Sequence, residues 1–398
     1  MVVRLFHHLH QYRRFIMGWK RTPALITELP RAPSMMLWLL SGVLAAVVSV
    51  LIFLFHASGY LKEFSEFNIW WVSLTPSGFW FILFCFRGWL WEKKVNEHKF
   101  LCNEAESAQK QWEEWAERYL IISASSIVLP DGVTAEAILK SSVDALPSRF
   151  ALTRQLNHIN APVWSALASL QTAICQLPHE LPVRVTLVTD MPTMGQAESF
   201  ATAWKTLFPQ REFLENISIT PAFSMSWIDE RLKQPALTVD LILVMQLCGS
   251  DAYSDGLAAL LLTSDDVAQK FSLPHSSRLL RPMPLEIKKF DEEFRLFLDT
   301  QAVASRASCV LCDSSSWDEV AAPLMIIGKE YDAGWDAAGR MVLEKWSGIP
   351  GPAAPWLLTA LAADLVSVNK ASLLTLFSSG EERFISTVTS GSEDEHIG

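Results

Sequence analysis

The sequence predicts a two-span N-terminal transmembrane helical hairpin joined to a layered α/β body. Three observations carry this reading. Two long stretches near the N-terminus are apolar and almost free of charge. Residues 1–99 hold 11 Lys and Arg against 5 Asp and Glu, whereas the other 299 hold 22 against 38, so a basic head precedes an acidic body. From about residue 120 onward, apolar runs of strand length alternate with amphipathic runs of helix length.

Composition narrows the class further. The chain has 398 residues, 50% of them hydrophobic, and its mean hydropathy is +0.20. That much apolar surface excludes a disordered chain. With 17 Gly and 6 Cys, collagen-like and disulfide-dense classes are excluded too. Sixteen Trp against five Tyr point to contact with a bilayer. Phosphate binding needs clustered Lys and Arg, so the acidic body argues against nucleic acid as its partner.

Residues 1–34 read as a basic cytoplasmic arm. His7, His8 and His10 lie in it without a companion ligand nearby and read as a solvated or interfacial segment rather than a metal site. Residues 35–57 contain no Asp, Glu, Lys or Arg. As a helix they extend about 35 Å, enough for a hydrocarbon layer of ~30 Å. A cleaved signal peptide fits poorly, because the run is long, begins late and lacks a small-residue cleavage site. The second span, 68–91, carries Trp70 and Trp71 at one end and Trp89 and Trp91 at the other, as an interfacial aromatic belt requires. Together with Lys93 and Lys94 these are the predicted membrane-interface residues. Pro76 and Gly78 lie inside this span, where a kink is tolerated. Arg4, Arg13, Arg14, Lys20, Arg21 and Arg31 precede the hairpin and Lys93, Lys94 and Lys99 follow it, so both termini are expected on the cytoplasmic side.

Residues 92–120 contain neither Gly nor Pro and predict a linker helix continuing from the second span. The body, 121–390, offers strands at 122–130, 183–190, 239–249, 256–264, 307–313, 323–329, 371–379 and 382–390. Helices are expected over 135–143, 163–176, 194–208, 291–305, 331–344 and 355–369. In the third of these, Phe200, Trp204, Leu207 and Phe208 share one face. Several strand runs are apolar throughout, which suits strands covered on both sides. Gly380 is available for a hairpin turn between the last two strands. A faint duplication relates 183–264 to 307–390. Residues 391–398 read as a disordered tail.

Motif by motif, chemistry is sparse. Cys309 and Cys312 form a single CxxC inside a strand, where i and i+3 face opposite sides, so they read as buried thiols rather than zinc ligands or a redox pair. The segment Asp313 to Glu319 reads as a helix cap, with a ligand cleft at a strand end as the alternative. Asp190, also after a strand, reads as a loop and N-cap, with cation or sugar-hydroxyl binding as its alternative. Ser254 and Asp255 lack the nucleophile-elbow glycines and read as a turn. Asp265, Asp266, Asp291, Glu292 and Glu293 read as helix-start charges. The Gly348 to Pro352 loop reads as a rigid connector. No nucleotide-binding glycine motif occurs.

Two segments carry a resemblance. Residues 239–247 followed by Ser254, Asp255, Gly256, Ala258, Ala259 and Leu260, and the closing stretch 351–388, resemble the thiolase-like (β-ketoacyl-synthase-like) family. Active members of that family use a nucleophilic Cys at a helix N-terminus and His in Gly-rich loops. Here Cys175 falls late in a predicted helix, Cys248 ends a strand, and His158, His179 and His275 lack Gly-rich surroundings. The resemblance therefore implies a degenerate body. The plan of two spans plus such a body is also similar to accessory inner-membrane proteins of bacterial type VI secretion clusters. That implies a multi-pass protein of the bacterial inner membrane, with the body cytoplasmic. The expected function is a non-enzymatic scaffold or adaptor that contacts the lipid bilayer and recruits a protein partner, secretion machinery or cargo. No catalytic residue, cofactor or metal site is predicted, and no oligomeric state. The alternatives are a membrane-bound acyl-transfer enzyme, an immunity protein and a structural piece of an assembly.

Overall fold

A computed structural model of the chain describes residues 19, 27–60, 68–140, 150–156, 159, 161–214, 216–234, 236–274, 276–336 and 339–390. The expectations for most of the arm, the inter-span loop, His158, His275 and the tail lie outside these residues. The chain divides into two compact units, Thr22–Trp112 and Met1–Arg21 with Glu113–Gly398.

In the first unit, α1 spans Met35–Ala57 and α2 runs without interruption over Ile69–Ala116, so the expected second span and linker form one helix. Both are long and apolar enough to cross a membrane, and their apolar windows are only 6% buried. The two helices run antiparallel. Ser49 Oγ lies 2.8 Å from Ser77 Oγ, and Trp80 Nε1 donates to Ser41 Oγ at 2.9 Å. Gly42 lets the Trp80 ring come close, since a Cβ there would fall 2.8 Å from a ring carbon. Pro76 supplies no N–H, yet the helix continues through it. Ser73 and Thr75 return their hydroxyls to the Ile69 and Trp71 carbonyls at 2.7 and 2.8 Å.

The body forms one mixed sheet of 11 strands. Its first half comprises β1 (Tyr119–Val128), β2 (Val183–Thr189), β3 (Ser218–Thr220), β4 (Val239–Gln246) and β5 (Gly256–Ser264). The second comprises β6 (Ser277–Leu280), β7 (Met283–Leu285), β8 (Cys309–Cys312), β9 (Arg340–Val342), β10 (Leu373–Ser379) and β11 (Glu382–Thr389). The strand order is β3-β2-β4-β5-β1-β6-β11-β10-β8-β9, with β7 on β11. The halves mirror each other. In each, a short edge strand lies parallel to its neighbour and that neighbour parallel to the next. An antiparallel pair then leads to the seam, where β1 meets β6. This is the faint duplication of the sequence made explicit.

Helices fill the two faces. The first half carries α3 (Ala135–Lys140), α4 (Pro162–Ser169), α5 (Gln171–Gln176), α6 (Gln196–Leu207), α7 (Ser226–Lys233) and α8 (Asp265–Phe271). The second carries α9 (Phe290–Thr300), α10 (Ala321–Glu330), α11 (Glu344–Ser347) and α12 (Ala354–Asn369). In β4, Ile242 and Val244 join one core and Leu241, Leu243 and Met245 the other, which is why that strand has no polar face. Helix α12 is apolar on every side because it packs on strands of both halves, β1, β5 and β6 as well as β10 and β11. Phe200, Trp204 and Phe208 stack in sequence and meet Phe213, as the one-face pattern requires.

Several local expectations fail. Residues 323–329 lie in α10 rather than in a strand, because an apolar run of this length is equally compatible with a buried helix face. The helix expected over 331–344 is replaced by a loop and the short strand β9. The helix expected over 163–176 breaks at Leu170 into α4 and α5.

Candidate active site

The strand ends of the two halves each hold an aspartate directly after the first strand of a parallel pair. Asp190 follows β2. Its Oδ1 accepts from Leu247 N at 2.9 Å, and its Oδ2 from Cys248 N at 2.8 Å and from Tyr253 Oη at 3.1 Å. Asp313 follows β8. Its Oδ1 accepts from Trp317 Nε1 at 2.9 Å and from Ser378 Oγ at 3.0 Å, and its Oδ2 accepts from Ser378 N. Neither caps a helix as expected. The N-cap of α6 is Gly195, at φ +83°, and Asp190 turns back to the end of β4 instead. Asp313 is fully buried, and burial pushes its carboxyl up to about 6 against the pull of its hydrogen bonds. Both aspartates are saturated with donors, so their role is to tie parallel strands together.

The thiols offer no nucleophile. Desolvation, then Asp190 and Asp255, push the Cys248 thiol up, and burial raises Cys309 and Cys312. Cys175 is exposed near the end of α5 rather than at a helix N-terminus. Ser254 is buried and structural: its Oγ accepts from Arg154 N at 3.0 Å. Gln246 bridges Ser254 O and Ala353 N, which anchors the 348–352 loop. Among the described residues no group of three or more His, Cys, Asp or Glu is placed to hold a metal ion.

One hydroxyl is placed differently. Ser224 lies in the turn between β3 and α7, two residues before the helix begins. Its Oγ donates to the Glu382 carboxylate at 2.9 Å and accepts from Ser226 N at 3.2 Å and Ser226 Oγ at 3.0 Å. The carboxylate comes from the other half of the sheet, at the start of β11 next to the Gly380 turn, where φ is +63°. The positive end of α7 and the Ser226 N–H both favour negative charge on that oxygen. Beside it stands an aromatic wall. Phe223 stacks on Trp356 at 5.1 Å and meets Trp227 at 5.2 Å, and Trp356 Nε1 donates to Phe223 O at 2.6 Å. The helix itself is pinned by buried charge: Arg231 Nε meets Asp240 at 2.6 Å and donates further to the Gln234, Ala236 and Thr238 carbonyls.

Sequence reasoning missed Ser224, Ser226 and Glu382. The local signal was Ser226 with Asp229 three residues on, opening a short amphipathic run. The pairing of Ser224 with a residue 158 positions away leaves no local trace. The predicted interface residues occupy α2. Trp70, Trp71 and Trp89 are exposed, the Lys93 ammonium lies 6.0 Å from the Trp89 ring centre, and Lys94 is exposed. Trp91 Nε1 donates to Pro30 O at 3.4 Å.

No known family profile and no curated protein sequence matches this chain. Solved structures do match in backbone course. An acyltransferase, ChlB3, is 14% identical with a TM-score of 0.44, over 68% of this chain and 98% of its own. Cerulenin-bound OleA from Xanthomonas campestris is 11% identical at 0.46, over 70% and 98%. The 3-oxoacyl-[acyl-carrier-protein] synthase III from Aquifex aeolicus is 13% identical at 0.42, over 68% and 99%. The likeness is one of backbone course alone. The expectation of a non-enzymatic scaffold finds no support in these likenesses, whose printed names are those of an acyltransferase and a synthase. Nothing in these likenesses bears on type VI secretion or an adaptor role.

Proposed function

We propose that the chain is a membrane-anchored acyl-transfer enzyme with Ser224 as nucleophile and Glu382 as general base. The observation that carries this reading is the 2.9 Å hydrogen bond from Ser224 Oγ to Glu382, made at the N-terminal end of α7. As Ser224 Oγ attacks the carbonyl carbon of an acyl thioester, its proton passes to Glu382. The positive end of α7 favours the developing negative charge. The C–S bond then breaks, the departing sulfur takes the proton from Glu382, and the acyl group remains as a serine ester. Phe223 and Trp227, half-buried over the buried Trp356, offer the acyl group an apolar surface. A second substrate's nucleophile accepts the acyl group in the reverse sequence of proton transfers.

The hairpin α1–α2 anchors this chemistry at a bilayer, with Trp70, Trp71, Trp89, Trp91, Lys93 and Lys94 at its interfaces and the body on the cytoplasmic side. Anchoring raises the local concentration of membrane-bound substrates. Thioester turnover by the full chain in detergent tests the reading. Ser224→Ala is expected to abolish it and Glu382→Gln to lower it by about 100-fold. Turnover unchanged in Ser224→Ala would reject Ser224.

A further inference from the structure

We propose that Trp19 positions helix α7, through a continuous line of contacts from Trp19 to Asp229. Trp19 is 96 residues from its main partner in sequence, yet it is only 6% exposed. Its ring meets Trp115 edge-on at 5.4 Å and Phe297 at 5.8 Å. The opposite contact of Trp115 is a cation: the Arg281 guanidinium lies 4.1 Å from the Trp115 ring centre, and Arg281 Nε donates to Trp115 O at 2.9 Å. The Arg281 side chain is 1% exposed, so its charge depends on a partner. That partner is Asp229 on α7, one turn after Ser226.

Each link has a physical cost if broken. Removing Trp19 opens the apolar seat on Trp115 and Phe297. A Trp115 ring free to turn no longer holds the guanidinium plane against its face. A displaced guanidinium leaves Asp229 to its exposed neighbour Lys233, at 2.5 Å, and α7 loses its tie to the buried Arg281. The helix remains fixed at its C-terminal end by Arg231, Asp240 and the Leu232 carbonyl, which accepts from Arg118. The expected consequence is therefore movement at the N-terminal end, where Ser224 and Ser226 stand. Its bearing on catalysis rests on the acyl-transfer reading; the contact line itself does not.

Amide hydrogen exchange on the full chain in lipid nanodiscs tests the inference. Trp19→Ala and Asp229→Asn are each expected to speed exchange in 226–230 about tenfold, while α6 is unchanged. The double variant should exchange no faster than the faster single one, since both break one line. Additive acceleration would contradict the coupling. So would acceleration confined to residues 112–119 and 290–300. Where Trp19→Ala fails to fold, Trp19→Leu keeps an apolar plug and Arg281→Lys keeps the charge while losing the planar stack; each is expected to loosen α7 alone. Failure of the coupling shows as an unmoved α7 in a chain that still transfers acyl groups. Failure of the acyl-transfer reading shows as a chain with the predicted exchange pattern and no turnover.

Discussion

The two halves of the sheet solve the same problem with different chemistry. Each begins its parallel pair with a strand that ends in aspartate, and each aspartate reaches across to backbone N–H groups at the end of the neighbouring strand. In the first half Asp190 is partly open to solvent, and its third donor is a tyrosine hydroxyl from a long β4–β5 connection. In the second half Asp313 is sealed, its donors are Trp317 and Ser378, and the β10–β11 connection is a tight turn at Gly380. The first half thus keeps a half-open, polar strand end. The second keeps a buried one, beside the turn that brings Glu382 to Ser224. The topology is shared while the two ends differ in burial.

The difference is open to test by substitution. Asp313→Ala leaves the Trp317 N–H and the Ser378 donors unpaired in a dry interior and is expected to cost about 4 kcal/mol of stability. Asp190→Ala, whose donors can reach water, should cost about 1 kcal/mol. Denaturant midpoints of the two variants check this, and equal losses would remove the distinction between the halves.

A pH dependence sharpens it. The Asp313 carboxyl is raised from 3.8 to about 6 in the folded chain, so the folded state holds its proton more tightly than the unfolded one. Its contribution is fully present below pH ~4 and is lost as pH rises through about 6, by about 3 kcal/mol in total. Asp313→Asn is expected to remove this component from the stability profile measured between pH 4 and 7. An Asp313→Asn profile superimposed on the parent would show that burial does not hold the proton.

The smallest effect concerns the turn. Gly380 has φ +63° with open space around it, so Gly380→Ala strains only the backbone and should cost about 1 kcal/mol. A larger loss of thioester turnover than of stability would show that the turn places Glu382.

What the sequence made legible follows the same division. The apolar lengths of 35–57 and 239–246 declare themselves because burial or exposure of the whole run leaves no choice of polar face. The run 323–329 does not, because burial in α10 and burial in a strand demand the same residues. The strand β3 has three residues, too few for any periodicity, and that hides the turn carrying Ser224. Asp190 and Asp313 were visible as residues after strands, but apart from Trp317 their partners lie 57 to 65 positions away in sequence. Sequence patterning gave the membrane-length helices, most of the central strands and the duplication, whereas the hydroxyl–carboxylate pair arises only when the two halves close around α12.

The most direct test of the central claim is the intact mass of the full chain after incubation with an acetyl thioester, followed by peptide mapping. The account predicts a gain of one acetyl group, hydroxylamine-labile as an ester, located on Ser224 and lost in Ser224→Ala. An unmodified chain, or an acetyl group carried on a cysteine with Ser224 bare, would contradict it.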